Sequence, residues 1–217
     1  MYKIFGLFFL ITSFSFGQSP SQVDSLIREM CKTLKATNDK PDSLRFSTIT
    51  ESHLNPFFSH YPKDDADKIW TIIYFRFQRD CMEFNQMLNR KSPAKDGVSL
   101  VEERPKTKLN KTGCQEFFDR KKYWYIENNG DTTNLQIENG LWIDRFKNGT
   151  FSKLSVKRIS DCAFEIEFIE SDNVTRKNFS RPGDKYIYQI INKEKNYYEM
   201  SAEIVEINRI EIFKMYY

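Results

Sequence analysis

The residue types that carry most metal and enzyme chemistry are scarce in this chain, which has two histidines and four cysteines. His53 and His60 lie seven residues apart, so on one helix they would share a face. A zinc site needs three or four ligands, and neither histidine belongs to a His-Glu-x-x-His or Cys-x-x-Cys pattern. We interpret both histidines as partly exposed side chains and predict no metal site.

Patterns of covalent catalysis and phosphate binding are also missing from the sequence. It has no glycine-rich phosphate loop and no Gly-x-Ser-x-Gly elbow. Glu165 and Glu167 would lie about 7 Å apart on one strand face and so resemble a glycosidase pair. Acids that alternate with Phe164, Ile166 and Phe168 are, however, the ordinary pattern of a solvated strand surface. The sequence therefore predicts a protein that is not an enzyme, with no catalytic residues and no cofactor.

Basic residues are not concentrated enough to predict nucleic-acid binding. Arg76, Arg79 and Arg90 occur among phenylalanines, but they do not form one stripe, and the net charge of the chain is only +3. We interpret these arginines as a solvated helix face. With 40% hydrophobic and 15% aromatic residues, the chain has enough apolar material for a folded core.

The first seventeen residues have the pattern of a secretory signal peptide. Lys3 precedes an apolar run over residues 4–11, and small side chains at Ser15 and Gly17 predict cleavage before Gln18. The run is shorter than the ~20 apolar residues that cross a bilayer. We expect an exported protein, periplasmic or extracellular, with no membrane span in the mature chain. Four cysteines in an oxidising compartment predict two disulfide bonds.

Helical periodicity covers residues 18–91. One amphipathic stripe predicts a first helix that ends before Pro41, and Asp42 begins a weaker helix broken by Pro56. A third helix follows Pro62 and carries a stripe that extends to Leu88. The stripe of the first helix contains Val23, Leu26, Ile27, Met30, Cys31 and Leu34. The predicted helical module is followed by a charged linker over residues 92–113, with one possible short strand at 98–101.

From residue 114 to residue 217 the hydrophobic period drops to two, which is typical of β-strands. Asn-Gly pairs at Asn129, Asn139 and Asn148 are signals of tight hairpin turns. The pattern predicts eight strands, at residues 123–127, 133–138, 141–146, 151–158, 163–170, 185–192, 197–204 and 209–216. The predicted fold class is α+β, with a helical module before an antiparallel barrel-like module, lipocalin-like or a strongly curved sheet. A β-sandwich is the competing arrangement.

Several short motifs in the β module resemble a group of small exported β-rich proteins from Bacteroidota. The matching motifs are Cys114 with Phe117, the run 156–162 with Phe164, and Gly183-Asp184 before the strand at 186–191. Arg158 stands where this group has tryptophan. The helical segment is similar to a two-cysteine helical module found in exported proteins of the same bacteria. The resemblance implies architecture and compartment, and no particular activity.

Two functions remain after these exclusions. The first is a non-enzymatic module that binds an unknown protein in the cell envelope, and the alternative is a lipocalin-like carrier of a small apolar ligand. The strand aromatics that would line a ligand site are Trp124, Trp142, Tyr186 and Tyr188. In a barrel of this size inward aromatics usually fill the interior, and we expect a filled core. A cavity of about 300 Å³ or more would favour the carrier.

The module boundary selects one of the three disulfide pairings that four cysteines allow. Cys31 and Cys81 lie on the apolar stripes of two predicted helices, whereas Cys114 and Cys162 lie at predicted strand starts. We predict the pairs Cys31–Cys81 and Cys114–Cys162, because crosswise pairs would have to span the linker. Tryptic digestion of the non-reduced protein and mass analysis of the linked peptides test this pairing. A peptide that joins a helical-module cysteine to a β-module cysteine would contradict both the pairing and the boundary.

Overall fold

The computed structural model describes residues 20–93 and 95–217. The fold is α+β, with helices on the N-terminal side followed by a closed antiparallel β-barrel of eight strands, which confirms the predicted class and excludes the sandwich. The predicted signal peptide at 1–17 and its cleavage before Gln18 lie outside the described residues.

The helical part buries one face of each long helix in a shared core. The apolar stripe of the first helix packs against Ile73 and Phe77, and the ring of Phe77 stacks on Phe84 at 4.2 Å. The Cys31–Cys81 disulfide crosses this core with its Cα atoms 5.6 Å apart. The helices are α1 (Pro20–Ala36), α2 (Asp42–Ile49), a π-helical turn (Thr50–Leu54), α3 (Asn55–Phe58), α4 (Lys63–Asp80) and α5 (Met82–Lys91).

Two helix boundaries differ from the prediction. The third predicted helix is two helices, since Cys81 has an extended backbone (φ −131°, ψ 109°) that ends α4 and begins α5. Pro56 does not break the second helix. It lies in the first turn of α3, directly after the π-helical turn, where the lack of an amide proton is tolerated.

The barrel is a meander of eight strands, in which each strand pairs with the next one along the chain. The last strand also pairs with the first, at Tyr216 and Trp124, which closes the barrel. The eight predicted strands agree with the observed bounds to within one residue at each end. Those bounds are β2 (Lys122–Ile126), β3 (Thr132–Glu138), β4 (Leu141–Arg145), β5 (Phe151–Arg158), β6 (Ala163–Ser171), β7 (Lys185–Lys193), β8 (Tyr197–Ile204) and β9 (Arg209–Tyr216).

The segment predicted as a linker runs along the barrel. A short strand, β1 (Ser99–Val101), pairs with β9. Beyond it, the amide of Lys108 donates to the carbonyl of Ile191 at 2.7 Å, and Gln189 donates to the carbonyl of Pro105 at 2.9 Å. One backbone bond and one side-chain bond thus fix the segment against β7 (Lys185–Lys193), after β1 has paired with β9.

Cys114 lies in a helix, α6 (Lys111–Arg120), and not at the start of a strand as the sequence predicts. The side chain of Asn110 caps this helix by accepting from the amide of Gly113 at 2.9 Å. The Cys114–Cys162 disulfide, with Cα atoms 5.1 Å apart, joins α6 to the connection between β5 and β6. Both cysteine pairs are therefore those that the sequence favours, although the local structure around Cys114 differs.

The arginines of α4 join the helical core to the barrel, and the interpretation of a solvated face is wrong for Arg76 and Arg79. Both are buried, at 6% and 3% exposure. Arg76 is paired with Asp184, and Nε of Arg79 donates to the hydroxyl of Tyr186 at 3.1 Å. The helix places these cations on its barrel side because their spacing of three residues keeps them on one face.

Replacement of Asp184 by alanine should destabilise the protein by about 3 kcal/mol, because it leaves two buried guanidinium groups with too few acidic partners. Urea unfolding followed by circular dichroism measures this change. Asp161→Asn is the matched control, since Asp161 forms an exposed pair with Lys111 and its loss should cost less than about 0.5 kcal/mol. Equal effects of the two substitutions would contradict a buried network between helices and barrel.

Candidate functional site

The two ends of the barrel differ in how far side chains fill the interior. At the end covered by α6, the ring of Phe117 stacks on Tyr123 at 4.6 Å and meets Tyr198 edge-on at 5.3 Å. Phe118 meets Phe164 at 5.4 Å. Each strand residue here lies at the start of β2, β6 or β8, so this cluster fills the α6 end.

The opposite end contains a cavity of about 580 Å³, and the prediction of a filled core is wrong for this half. Large side chains on β7 to β9, among them Tyr186, Tyr188 and Met215, border the cavity. Inward positions near this end are smaller: Thr133 on β3, Ser152 on β5 and Ala202 on β8. Their short side chains leave the space that large residues fill at the α6 end.

Three of the four aromatics proposed as lining residues border this cavity: Trp142, Tyr186 and Tyr188. The fourth, Trp124, lies on the other face of β2 and stacks on Tyr216 at 4.2 Å. The alternation of strand side chains explains this difference, because inward Tyr123 and Tyr125 flank Trp124.

A short helix, α7 (Val174–Phe179), covers part of the cavity mouth in the connection between β6 and β7. Asn173 caps it by accepting from the amide of Arg176 at 3.2 Å. The guanidinium of Arg176 donates to both carboxylate oxygens of Glu127, at 2.7 and 2.9 Å, and to the hydroxyl of Tyr125 at 3.4 Å. These bonds hold α7 against the β2–β3 connection.

A buried carboxylate, that of Asp144, lies in the cavity wall at 5% exposure. The indole N–H of Trp142 donates to its Oδ1 at 3.0 Å. Burial raises the pKa of Asp144 to about 7, although nearby Arg176 and hydrogen bonds from Trp142 and Tyr125 act in the opposite direction. The carboxyl group therefore changes its charge near neutral pH.

The tyrosines and the arginine around Asp144 keep their protons. Burial raises the pKa of Tyr125 and of Tyr188 above the ordinary tyrosine value, with the charge of Asp144 adding to both shifts. Burial alone would lower the pKa of Arg176, but Tyr125, Glu127 and Asp144 outweigh it and raise that pKa. Asp144 is thus surrounded by tyrosine hydroxyls and by the guanidinium of Arg176.

Aromatic rings form the wall beside Asp144. The rings of Trp142 and Tyr188 are 5.3 Å apart, and Phe213 meets Tyr188 edge-on at 5.8 Å. Apolar side chains continue this surface into the barrel: Leu154, Ile166, Phe168, Ile204 and Met215. The cavity therefore offers an apolar surface of aromatic and aliphatic side chains beside polar and charged groups that can orient a ligand.

His53 and the two cysteines that lie near Glu83 are engaged in other bonds. Nε2 of His53 is hydrogen-bonded to the hydroxyl of Thr33 at 2.8 Å. Cys31, Cys81 and Glu83 bring potential ligand atoms within 4.8 Å of one another, but both sulfurs belong to the disulfide. A disulfide sulfur is not a thiolate and therefore does not serve as a thiolate ligand to a metal.

Asp144, Glu127 and Arg176 were not among the predicted site residues. Asp144 had a readable signal, because it occupies the inward register of a strand two residues after Trp142. A charged residue on the apolar face of a predicted strand indicates a polar site in the core. Arg176 had no such signal, since α7 has only six residues and no apolar stripe.

None of the helices in the described part of the chain has the length and hydrophobicity needed to cross a membrane. Comparisons of the chain with protein-family models, curated protein sequences and solved structures give no match.

Substitution of Asp144 by asparagine should stabilise the protein at pH 8 and have little effect at pH 4. The pKa of Asp144 is about 7 in the folded state and 3.8 ordinarily. Between pH 3.8 and pH 7 the folded state therefore binds a proton that the unfolded state does not. The wild type therefore loses stability as pH rises through this window, by at most about 4 kcal/mol. Thermal unfolding from pH 4 to 9 measures the difference. A constant difference between variant and wild type across this range would contradict the raised pKa.

Proposed function

We propose that this protein is an exported, non-enzymatic binding protein that holds a small, largely apolar ligand in the α7 end of its barrel. The cavity of about 580 Å³ is the observation that carries this proposal. Its volume lies within the ~300–1,000 Å³ of typical small-molecule sites. The cavity favours the lipocalin-like carrier over a module that binds only proteins through its surface.

The chemistry of the lining supports a small organic ligand. Aromatic and aliphatic side chains give an apolar surface, and hydroxyl and carboxyl groups near the mouth give directional contacts. Arg176 donates to Tyr125 and Glu127, and Trp142 donates to Asp144, so these polar groups are held in place before a ligand enters. Such preorganisation reduces the entropy cost of binding.

Export is supported by the two disulfide bonds, which persist in oxidising compartments. The signal-peptide pattern with Lys3 and Gly17 agrees with this compartment. The resemblance to small exported proteins of Bacteroidota agrees as well. We therefore propose that ligand binding takes place in the periplasm or outside the cell.

Filling the cavity should abolish ligand binding. Ala202 is a small inward residue that pairs with Tyr188 across β7 and β8, and phenylalanine at this position would occupy space beside the aromatic wall. We expect saturable fluorescence enhancement of the neutral probe N-phenyl-1-naphthylamine with the wild type, and at least about tenfold weaker binding with Ala202→Phe.

Ser155→Phe is the matched control, because Ser155 lies on the outward register of β5, between inward Leu154 and Val156. It adds the same ring outside the cavity and should leave probe binding unchanged. Circular dichroism shows whether each variant keeps its fold. Native mass spectrometry of protein purified from its own host gives a second readout, in which a co-purifying small molecule supports the proposal. Absence of saturable probe binding by the wild type would refute it.

A further inference from the structure

The charges that line the cavity are balanced, apart from one. Five acidic and four basic side chains line it. Four of the acids are paired with the four bases, as Glu127–Arg176 (2.7 Å), Asp131–Lys147 (2.8 Å), Asp96–Lys214 (3.3 Å) and Glu211–Arg209. Asp144 is the fifth acid. Among the described residues, no basic side chain lies within 4 Å of its carboxylate.

Arg176, the cation that influences Asp144, already forms an ion pair with Glu127. Arg176 acts on Asp144 through its charge, but its guanidinium donates to both oxygens of Glu127. Arg209 is likewise bound to Glu211 and to the carbonyl of Gln78. An ionised carboxylate at 5% exposure therefore faces the cavity without a full positive charge beside it. Such a group gains most from a cation that enters the cavity.

The rings beside Asp144 suit the same kind of ligand. The indole of Trp142 and the ring of Tyr188 lie 5.3 Å apart at an angle of 56°, and Phe213 adds a third ring. The faces of aromatic rings attract cations, most strongly where water is excluded. A carboxylate and several ring faces on one cavity wall are a recognised arrangement for ammonium groups.

We propose that the cavity binds an organic cation, with a protonated amine or quaternary ammonium group against Asp144 and the rings of Trp142 and Tyr188, and with an apolar body directed into the barrel. This inference rests on the proposed function, since it names the ligand class for the same cavity. The apolar body contacts Leu154, Ile166 and Met215.

The same groups select against anions. The arginine and lysine side chains at the cavity are neutralised by their acidic partners, so a carboxylate ligand would meet no uncommitted cation and would be repelled by Asp144. Discrimination by charge needs such a repulsive element as well as an attractive one. Fatty acids are therefore the wrong class of amphiphile for this cavity.

A series of three ligands with the same alkyl chain tests the inference: octylammonium, 1-octanol and octanoate. Each is titrated against bound N-phenyl-1-naphthylamine at pH 8, where Asp144 is ionised. We expect octylammonium to displace the probe at roughly tenfold lower concentration than octanol, with octanoate the weakest. Asp144→Asn should remove the advantage of octylammonium and leave octanol unchanged.

Glu170→Gln is the matched control, because it also removes one negative charge but from the exposed outer surface of β6, where Glu170 pairs with Lys153. It should keep the order of the three ligands. The acid Glu127 remains present in every variant, so the comparison isolates Asp144.

A second measurement needs no variant. At pH 5 the protonation of Asp144 should reduce the advantage of octylammonium in the wild type several-fold. The groups that face Asp144 are Trp142, Tyr125, Glu127, Arg176 and Tyr188, and the tyrosines and the arginine titrate far above this range. The Glu127 carboxylate is bonded to Arg176 through both oxygens.

Two results would overturn the inference and leave the binding function standing: octanol displaces the probe as well as octylammonium does, or Asp144→Asn keeps the preference for octylammonium. A wild type that binds no probe would refute the proposed function, and the inference with it. The two failures are distinguishable because the probe is neutral.

Discussion

The closure of the barrel by β9 is the constraint on which the rest of the structure depends. This strand pairs with β8 along its whole length, yet only Tyr216 pairs with β2, at Trp124. The remaining edge of β9 is covered by β1. An open edge would expose unpaired amides and carbonyls, so the segment before the barrel completes the sheet as well as connecting two parts of the chain. The stacked rings of Trp124 and Tyr216 lie at this junction.

A closed barrel of eight strands can be filled completely by its side chains, and here the α6 end is filled whereas the α7 end is not. The cavity exists because inward residues near α7 are short or polar. Polar groups inside a barrel are costly unless they are bonded, and almost all of them are. Arg176 secures α7, and Arg79 of α4 bonds Tyr186, whose side chain borders the cavity. The helical part thus contacts a residue of the cavity wall directly.

The strands were predictable because two independent signals coincide: alternating hydrophobicity and Asn-Gly turns, such as Asn139-Gly140, where both residues have positive φ. Barrel closure and the cavity depend on which inward residues meet across strands, and no local pattern encodes this. Arg76 and Arg79 look solvated in a sequence, since burial of a cation depends on a distant partner such as Asp184. The two short helices of the barrel region were not predicted either. α6 begins in a charged segment, and α7 has fewer than two turns and no apolar stripe.

The order of the strands has a consequence for folding kinetics. Seven of the eight strand pairs in the barrel join neighbours in the chain. These can form as successive hairpins, and all of them except the β6–β7 pair have short loops. The pairing of β2 with β9 instead brings together residues 124 and 216, and β1 must reach β9 across a similar distance. Long loops close slowly because their entropy must be lost before the contact stabilises the fold. We therefore expect closure to be a late step, which the fluorescence of Trp124 would report because its ring stacks on Tyr216 at the closure.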